Sequence, residues 1–538
     1  MTSPMRSSRH PALVFVVIFV GVFLLHTPLL QLPYFWDEAG YYVPAARDLL
    51  LTGSLIPHTT ISNAHPPLVL AWIALWWKSF GYAPAVARSA MLVIASFSLL
   101  GVFRLAESVA NAQVAIGATV CTALYPVFFA QSSLAQVDLA AAGLTLWGLL
   151  AYVERRFWAA VIWFSLAALA KETAILAPVA LVAWELVGRF TQKSERLRRL
   201  WQMPESQSDR KRVLPLLIPL LPLAAWYCFH YARTGYVFGN PEFFRYNIAA
   251  TLNPLRFVLA LMLRLWQTFG YLHLWLLTGG MLLTMLLQPV SDGAVERPRI
   301  LIPAQARFFV VIAAYVLAMA LIGGAVLARY LLPAVPLVII LAVSTLRRRL
   351  RYWPAAVAVV AVSFVVAWFW NPPYGFSPED NLAYRDYVVM HEDAERFLEA
   401  RYPMARVLTA WPASDELTRP WLGYTTRPLP VVRIEDFSLE QVLSAADFRS
   451  NFDVALVFST KYEPARPLLE RWQEWTKLKQ RFFGYEQDLP AGAAARILVG
   501  RIVFSEQLKG QWVALIEMQR AEILNARGSG NNSVLPGE

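Results

Sequence analysis

The sequence PALVFVVIFVGVFLLHTPLLQLPYFWDEAGYY, residues 11–42, joins a long apolar run to two adjacent carboxylates flanked by aromatic residues. A helix needs about 20 apolar residues to cross the hydrocarbon core of a bilayer, and residues 11–31 meet that requirement. The run follows Arg6 and Arg9 and lacks a clear small-residue cleavage site. It therefore predicts a retained transmembrane helix whose amino end faces the cytoplasm.

The composition of the whole chain is typical of a membrane protein. Of its 538 residues, 57% are hydrophobic and 16% are charged, with a mean hydropathy of +0.44, whereas about a quarter of residues are charged in soluble domains. A net charge of +11 would suggest nucleic acid binding in a soluble protein, but here the basic residues cluster in short loops between apolar runs. Such clusters report membrane topology, so we expect a lipid bilayer and no nucleic acid among the partners.

The apolar runs predict a polytopic α-helical membrane protein with about eleven transmembrane helices. They lie near residues 11–31, 88–107, 113–130, 138–153, 157–170, 173–188, 213–231, 266–288, 308–327, 330–346 and 353–370. Alternating these helices from a cytoplasmic start places the basic clusters at 155–156, 189–212 and 347–351 inside.

The run at residues 66–80 has about a dozen apolar residues, a length typical of an interfacial or re-entrant segment. We therefore predict a juxtamembrane helix within the first outer loop, residues 32–87. In a second topology, residues 66–80 span the membrane and 157–188 form one bent crossing. That arrangement moves Asp138 to the cytoplasm, away from Asp37, and we prefer the first.

The character of the sequence changes after Trp370. Short apolar strands at 406–411, 430–434 and 453–459 alternate with helical stretches such as 439–446 and 465–483, a pattern that indicates a small α/β domain. We predict a transmembrane domain at 1–372, an extracytoplasmic α/β domain at 373–525 and a disordered tail at 526–538. The sequence has no glycine-rich phosphate-binding loop, so nucleotide chemistry has no visible site.

Asp37 and Glu38 are the leading catalytic candidates because they directly follow the first apolar run among aromatic residues. A carboxylate that neighbouring rings partly desolvate can accept a proton from an acceptor hydroxyl or amine, or hold a divalent cation. The alternative is a solvated pair of carboxylates in an interfacial loop.

Other ionisable residues interrupt apolar sequence, where a charge is costly unless it faces a wet cavity or a partner. They are His65, Asp138, Lys171, Glu172 and Arg329. Each also has a structural interpretation: a hydrogen-bonded histidine, a carboxylate at a helix N-terminus, a Lys–Glu pair in a turn and an arginine that snorkels to the interface.

The preferred topology places all these candidates on the outer side of the membrane, which favours a single site. Carboxylates that activate an acceptor, beside cations that bind a phosphate, suit transfer of a sugar from a polyprenyl-phosphate carrier. The leaving group of that reaction is an anion at the lipid surface, and fixed cations stabilise it.

Over residues 11–350 the sequence resembles the GT-C glycosyltransferases, in particular the bacterial relatives of the protein O-mannosyltransferases and of the lipid A aminoarabinose transferase. The similarity rests on motifs in a shared order: the acidic pair at 37–38, HPPL (65–68), FGYAPAVAR (80–88), QVD (136–138), AKE (170–172) and RYLLPAVP (329–336). These motifs add Arg88 and Tyr330 to the substrate-binding candidates.

The resemblance implies a polyprenyl-phosphate-linked monosaccharide donor, a multi-pass protein of the bacterial inner membrane and an inverting hexosyl or pentosyl transfer in which Asp37 is the base. The acceptor is left open between a lipid, a glycan and a protein of the envelope. Some members use a divalent cation; the sequence requires no cofactor, and Asp37 and Asp138 are the candidate ligands if an ion binds. The alternatives are a polyprenyl-lipid transporter or flippase and a non-catalytic membrane assembly subunit.

Overall fold

A computed structural model describes residues 10–191, 214–239, 253–322, 325–464 and 472–519. The described chain is mostly helical and divides into two compact units, Met1–Val388 with Glu463–Tyr485, and Val389–Tyr462 with Glu486–Glu538. Arg6, Arg9, most of the basic stretch at 189–212 and the tail from 526 lie outside the described residues.

The first unit is built from long helices, several of which begin at a proline because the first helical turn needs no backbone N–H. Its α-helices are α1 (Pro11–His26), α2 (Val43–Thr52), α3 (Leu68–Phe80), α4 (Pro84–Val109), α5 (Ala112–Leu124), α6 (Pro126–Ser133), α7 (Asp138–Val153), α8 (Phe157–Ala170), α9 (Leu176–Thr191), α10 (Leu220–Thr234), α11 (Pro254–Phe269), α12 (Leu274–Thr284), α13 (Ile302–Ile322), α14 (Val335–Arg349), α15 (Trp353–Phe369) and α16 (Ala383–Arg401), the last of which continues into the second unit.

Short elements connect these helices. One-turn 3-10 helices lie at Thr27–Leu29, Glu172–Ile175, Leu214–Leu217, Tyr271–His273, Ala328–Leu331 and Pro378–Asp380, and a π-helical turn lies at Glu38–Tyr42. A small antiparallel hairpin pairs β1 (Ser291–Asp292) with β2 (Val295–Glu296). The turns at 38–42, 172–175, 328–331 and 378–380 carry the candidate site.

Five helical segments among the described residues are long and apolar enough to cross a membrane: Pro11–Leu29, Pro84–Val109, Leu214–Thr234, Pro254–Thr284 and Ile302–Ile322. Four apolar helices, α3, α7, α8 and α15, are shorter. The 13 residues of α3 rise about 20 Å at 1.5 Å per residue, less than the hydrocarbon thickness of about 30 Å. The total of about eleven crossings stays a prediction.

The predicted crossing at 113–130 is not one straight helix. It consists of α5 and α6, which meet at a bend of 67°. Tyr125 between them is extended (φ −58°, ψ 125°), because helical geometry is disfavoured for the residue before a proline and Pro126 donates no backbone hydrogen bond. The bend directs the short helix α6 toward the turn at 378–380, where the Gln131 side chain donates to the Glu379 carbonyl at 3.3 Å.

Small residues allow close contact at the centre of the first unit, where α7 packs against α4 and α8. A Cβ at Gly143 would lie 1.9 Å from the Ser98 hydroxyl oxygen, and one at Gly148 would lie 2.6 Å from the Phe164 ring. Helices in lipid associate mainly through such close packing, because the surrounding hydrocarbon offers no hydrophobic driving force. The packing of α7 also fixes Asp138, its first residue.

The second unit contains a five-stranded sheet in the order β4-β3-β5-β7-β6. The strands are β3 (Val407–Thr409), β4 (Val431–Arg433), β5 (Val454–Phe458), β6 (Gly500–Leu508) and β7 (Gln511–Met518). β3 pairs in parallel with β4 and β5, and β7 pairs antiparallel with β5 and β6. The helices are α17 (Ala413–Thr418), α18 (Leu439–Asp447) and α20 (Ala491–Ile497), while α19 (Gln473–Phe483) belongs to the first unit.

Candidate functional site

Asp37 and Glu38 face different surroundings although they are neighbours. Glu38 is fully buried, and its carboxylate accepts hydrogen bonds from the backbone N–H of Phe35 at 2.8 Å and of Ala135 at 2.6 Å. Burial raises the pKa of Glu38 despite these donors and the nearby Arg88. Because both oxygens bind the backbone of two loops, Glu38 fixes the turn that presents Asp37.

Arg88, a substrate-binding candidate in the sequence, is fully buried in the structure. Its guanidinium donates to the carbonyls of Pro33 at 2.7 Å and Ser133 at 3.2 Å, and lies 3.4 Å from the Glu38 carboxylate. It therefore joins the same two loops as Glu38. Its contacts hold these two loops together, and its role in substrate binding stays a prediction.

Arg329 lies at the centre of a group of charged and polar side chains, which we call the Arg329 cluster: Asp37, Gln136, Asp138, Lys171, Arg329, Tyr330 and Glu379. Its Nη2 donates to Asp37 Oδ2 at 2.5 Å, and its Nη1 donates to Gln136 Oε1 at 2.5 Å and to Glu379 Oε2. Its Nε lies 3.3 Å from Asp138 Oδ2. The arginine is thus an intramolecular partner of three carboxylates and not a snorkelling residue.

Lys171 and Glu172 take different partners, which overturns the interpretation that they pair with each other. Lys171 Nζ donates to Asp138 Oδ1 at 2.5 Å and lies 4.0 Å from the centroid of the Tyr330 ring. Glu172 accepts from His65 Nδ1 at 2.9 Å. Consecutive residues point apart here because Lys171 ends α8 in an extended conformation (φ −155°, ψ 137°).

His65 connects its pair with Glu172 to the acidic turn. The His65 ring stacks on Tyr42, with centroids 5.9 Å apart, and Tyr42 closes the π-helical turn that begins at Glu38. Burial opposes ionisation of Glu172, but the charge and hydrogen bond of His65 and the charge of Lys171 lower the pKa of Glu172 to about 2. This carboxylate therefore stays ionised at neutral pH.

Sequence reasoning missed Glu379, Asp380, Gln136 and Tyr271. Burial raises the pKa of Glu379 despite the Arg329 guanidinium, and burial together with the Glu379 charge raises the pKa of Asp380 to about 8. Tyr271 donates its hydroxyl to Asp380 Oδ2 at 2.6 Å. A signal was available in FSPED, residues 376–380, where two adjacent carboxylates follow an apolar run as they do at 37–38.

The three carboxylates of the Arg329 cluster differ in access. The side chain of Asp37 is 22% exposed, whereas those of Asp138 and Glu379 are 2% and 4% exposed. Only a reachable carboxylate can exchange a proton with a bound molecule. Among the described residues of the cluster, Asp37 is the carboxylate suited to that role.

The cluster does not fit a divalent cation held by Asp37 and Asp138. Asp37 contacts Arg329, and Asp138 contacts both Lys171 and Arg329. A metal ion at these carboxylates would have to displace cations that already neutralise them, or sit next to like charge. Lys171 and Arg329 are the cations of the cluster, and an anion would have to displace a carboxylate to reach either of them.

Comparisons with known proteins identify a shared fold. No family model matches the sequence, and no curated protein matches it. Two crystal structures of ArnT from Cupriavidus metallidurans, one bound to undecaprenyl phosphate and one in the apo state, match 94% of this chain and 97% and 98% of their own, with TM-scores of 0.54 and 0.55 and identities of 14% and 15%.

A crystal structure of the Archaeoglobus fulgidus oligosaccharyltransferase with Zn and sulfate matches 94% of this chain and 73% of its own, with a TM-score of 0.45 and 13% identity. The comparison with ArnT shows the fold: this chain folds like ArnT over nearly its whole length.

Proposed function

We propose that this chain is an integral membrane glycosyltransferase that moves a monosaccharide from a polyprenyl-phosphate donor to an acceptor of the cell envelope. The observation that carries the proposal is the 2.5 Å contact between Arg329 Nη2 and Asp37 Oδ2. It joins a buried cation that suits a phosphate to the most accessible carboxylate of the cluster. The ArnT-like fold supports the proposal, because one ArnT structure contains undecaprenyl phosphate.

Arg329 and Lys171 form the proposed phosphate site. An arginine guanidinium can contact two phosphate oxygens at once, and a lysine ammonium adds a point charge. The Tyr330 ring faces Lys171 Nζ at 4.0 Å and holds the ammonium in place through its π-face. An incoming phosphate competes with Asp37 for Arg329 and with Asp138 for Lys171, so that donor binding frees the Asp37 carboxylate.

The freed carboxylate then acts as the general base. The acceptor oxygen or nitrogen forms a bond to C1 of the sugar while the bond between C1 and the phosphate oxygen breaks. Asp37 takes the proton of the acceptor, and the electron pair of the broken bond goes to the phosphate oxygen, whose charge Arg329 and Lys171 stabilise. Attack opposite the phosphate inverts the configuration at C1.

We place the site at the outer face of a bacterial inner membrane, with the amino terminus and the basic loops in the cytoplasm and the second unit outside. α7 runs from Asp138 in the Arg329 cluster to the basic residues Arg155 and Arg156. α14 begins shortly after Arg329 and ends in basic residues at 347–349. The cluster and the basic residues thus lie at opposite ends of the same helices, as the positive-inside rule favours.

The test measures transfer of radiolabelled sugar from synthetic polyprenyl-phosphate donors to membrane extracts by the protein purified in detergent. Replacing Asp37 by Asn should lower kcat by about 10²–10⁴-fold, the usual contribution of a general base, while donor binding persists. Asp292→Asn, an exposed carboxylate on the β1–β2 hairpin, is the matched control and should turn over like wild type. Equal turnover by Asp37→Asn would exclude Asp37 as the base.

Donor binding is tested separately with Lys171→Met. Loss of a charge-assisted contact of about 1.5–3 kcal/mol should raise KM for the donor by roughly ten- to a hundredfold. Lys171→Arg should recover part of this loss because it keeps the positive charge. A folded wild-type protein that binds the lipid phosphate but transfers no sugar from any donor would favour the transporter or binding-subunit alternatives.

A further inference from the structure

The second unit buries a group of metal-ligating side chains that the proposed function does not use. His391 and Glu395 lie one helical turn apart on α16, and Glu416 lies on α17. Each offers a ligand atom within 4.8 Å of the others. We call these residues the His391 cluster; their exposures are 1%, 0% and 0%.

The two carboxylates of this cluster have a single imidazole as their side-chain partner. His391 Nδ1 lies 2.8 Å from Glu416 Oε2. Among the described residues, no nitrogen or hydroxyl donor bonds either oxygen of Glu395 or Glu416 Oε1, and the two carboxyl groups contact each other. A buried carboxylate without a donor or counter-ion is strongly unfavourable.

We propose that His391, Glu395 and Glu416 bind one divalent transition-metal ion of the zinc class. Imidazole nitrogen and carboxylate oxygen are ligands that zinc accepts, and two carboxylates match its charge. Ligand atoms around tetrahedral zinc are about 3.3–3.5 Å apart, so the three side chains need shifts of about 1 Å to close on an ion. Glu395 has both oxygens available and can chelate through the pair.

The proposed ion has a structural role. All three side chains are buried, and structural zinc sites are closed, whereas catalytic ones keep a position open to water or substrate. The Phe458 ring of β5 lies 4.6 Å from the His391 ring and covers it. The ion would join α16 to α17, the helix that follows β3.

The test uses the full chain in detergent, freed of metal with a chelator and then titrated with Zn²⁺, with bound metal counted by mass spectrometry. We expect about one ion per chain, and at least about tenfold weaker binding for Glu395→Gln and Glu416→Gln. Asp393→Asn, on the same helix with a side chain 48% exposed, should bind like wild type. No binding by wild type, or equal binding by the cluster variants, would overturn the proposal.

A second measurement avoids dependence on variants that fail to fold. Wild-type protein loaded with Co²⁺ should show the visible absorption of a four-coordinate ion, and X-ray absorption should show nitrogen and oxygen ligands alone. The free cysteines Cys121 and Cys228 are the competing ligands. A sulfur-to-cobalt charge-transfer band would place the ion at a cysteine and overturn the assignment to the His391 cluster.

Discussion

The Arg329 cluster of the first unit and the His391 cluster of the second both bury carboxylates, but they compensate the charge differently. In the first, Asp37, Asp138 and Glu379 each contact the guanidinium of Arg329. In the second, Glu395 and Glu416 lie side by side with one imidazole and no lysine or arginine partner among the described residues.

This difference in charge compensation limits what each cluster can bind. A cluster that supplies its own cations is ready to exchange a carboxylate partner for an anionic ligand, as the proposed phosphate binding requires. A cluster with excess buried carboxylate must take positive charge from outside, either as a proton or as a metal ion. Under the two proposals, the same residue type supports sugar transfer in the first unit and metal binding in the second.

The largest expected effect comes from removing the central cation of the first cluster. Arg329→Met leaves three buried or half-buried carboxylates with Lys171 alone, and breaking such a network costs about 3–5 kcal/mol of unfolding free energy. We expect a lower unfolding midpoint in detergent and no detectable sugar transfer. The double variant Arg329→Met with Glu379→Gln should recover part of the stability, because one unpaired carboxylate is gone. An unchanged midpoint in the single variant would show that Arg329 does not hold the cluster.

A smaller effect is expected in the pH dependence of stability. The folded-state pKa of Asp380 is raised to about 8, above the value of about 3.9 in an unfolded chain. The folded state therefore keeps an extra proton between these values, and stability falls as the pH rises through that window. Asp380→Asn should remove on the order of 1–3 kcal/mol of this dependence.

Melting temperatures of wild type and Asp380→Asn, measured from about pH 5 to about pH 8.5, test this sign. The variant should lose less stability toward high pH than wild type does. Asp292→Asn, an exposed carboxylate, should follow the wild-type curve. Parallel curves for Asp380→Asn and wild type would mean that Asp380 ionises freely in the folded protein.

The smallest expected effect distinguishes the two clusters. The same Glu→Gln change should alter the free energy of unfolding in opposite directions in the two. In metal-free protein, Glu395→Gln replaces one of two adjacent buried carboxyl groups that cannot both ionise, and it should stabilise by about 1 kcal/mol. Glu379→Gln removes a partner of Arg329 and should destabilise by a similar amount. Unfolding in chelator measures both, and addition of Zn²⁺ should stabilise wild type but not Glu395→Gln. Destabilisation of both variants in chelator would mean that both clusters neutralise their carboxylates in the same way.

Parts of the fold could be read from local patterns. Strands β3, β4 and β5 occur within the predicted stretches 406–411, 430–434 and 453–459, because short apolar runs bounded by polar loops suit buried strands. The hairpin of β6 and β7 was missed although its signal is present. Residues 500–518 alternate around Lys509 and Gly510, both with positive φ, the backbone that a tight hairpin turn requires.

Prediction from the sequence was less complete for the candidate site. The sequence singled out Asp37, Asp138, Lys171 and Arg329, and the structure brings them together. The residue pattern alone did not separate Asp37 from Glu38, since adjacent carboxylates look alike until burial is known; only the family resemblance named Asp37 as the base. Glu379 was missed because the sequence predicts that the transmembrane domain ends at residue 372, so the candidates were sought before that boundary.

The sequence by itself determined the membrane character, the order of the apolar runs and the residue types available for chemistry, because hydrophobicity, helix length and charge are local properties of the chain. Only the tertiary structure decided which partners those residues take. Asp37 and Arg329 are 292 positions apart, and His65 and Glu172 are 107 apart. Such pairs form where helix packing brings distant parts of the chain together. The same packing buries Glu38 and leaves the Asp37 side chain partly exposed.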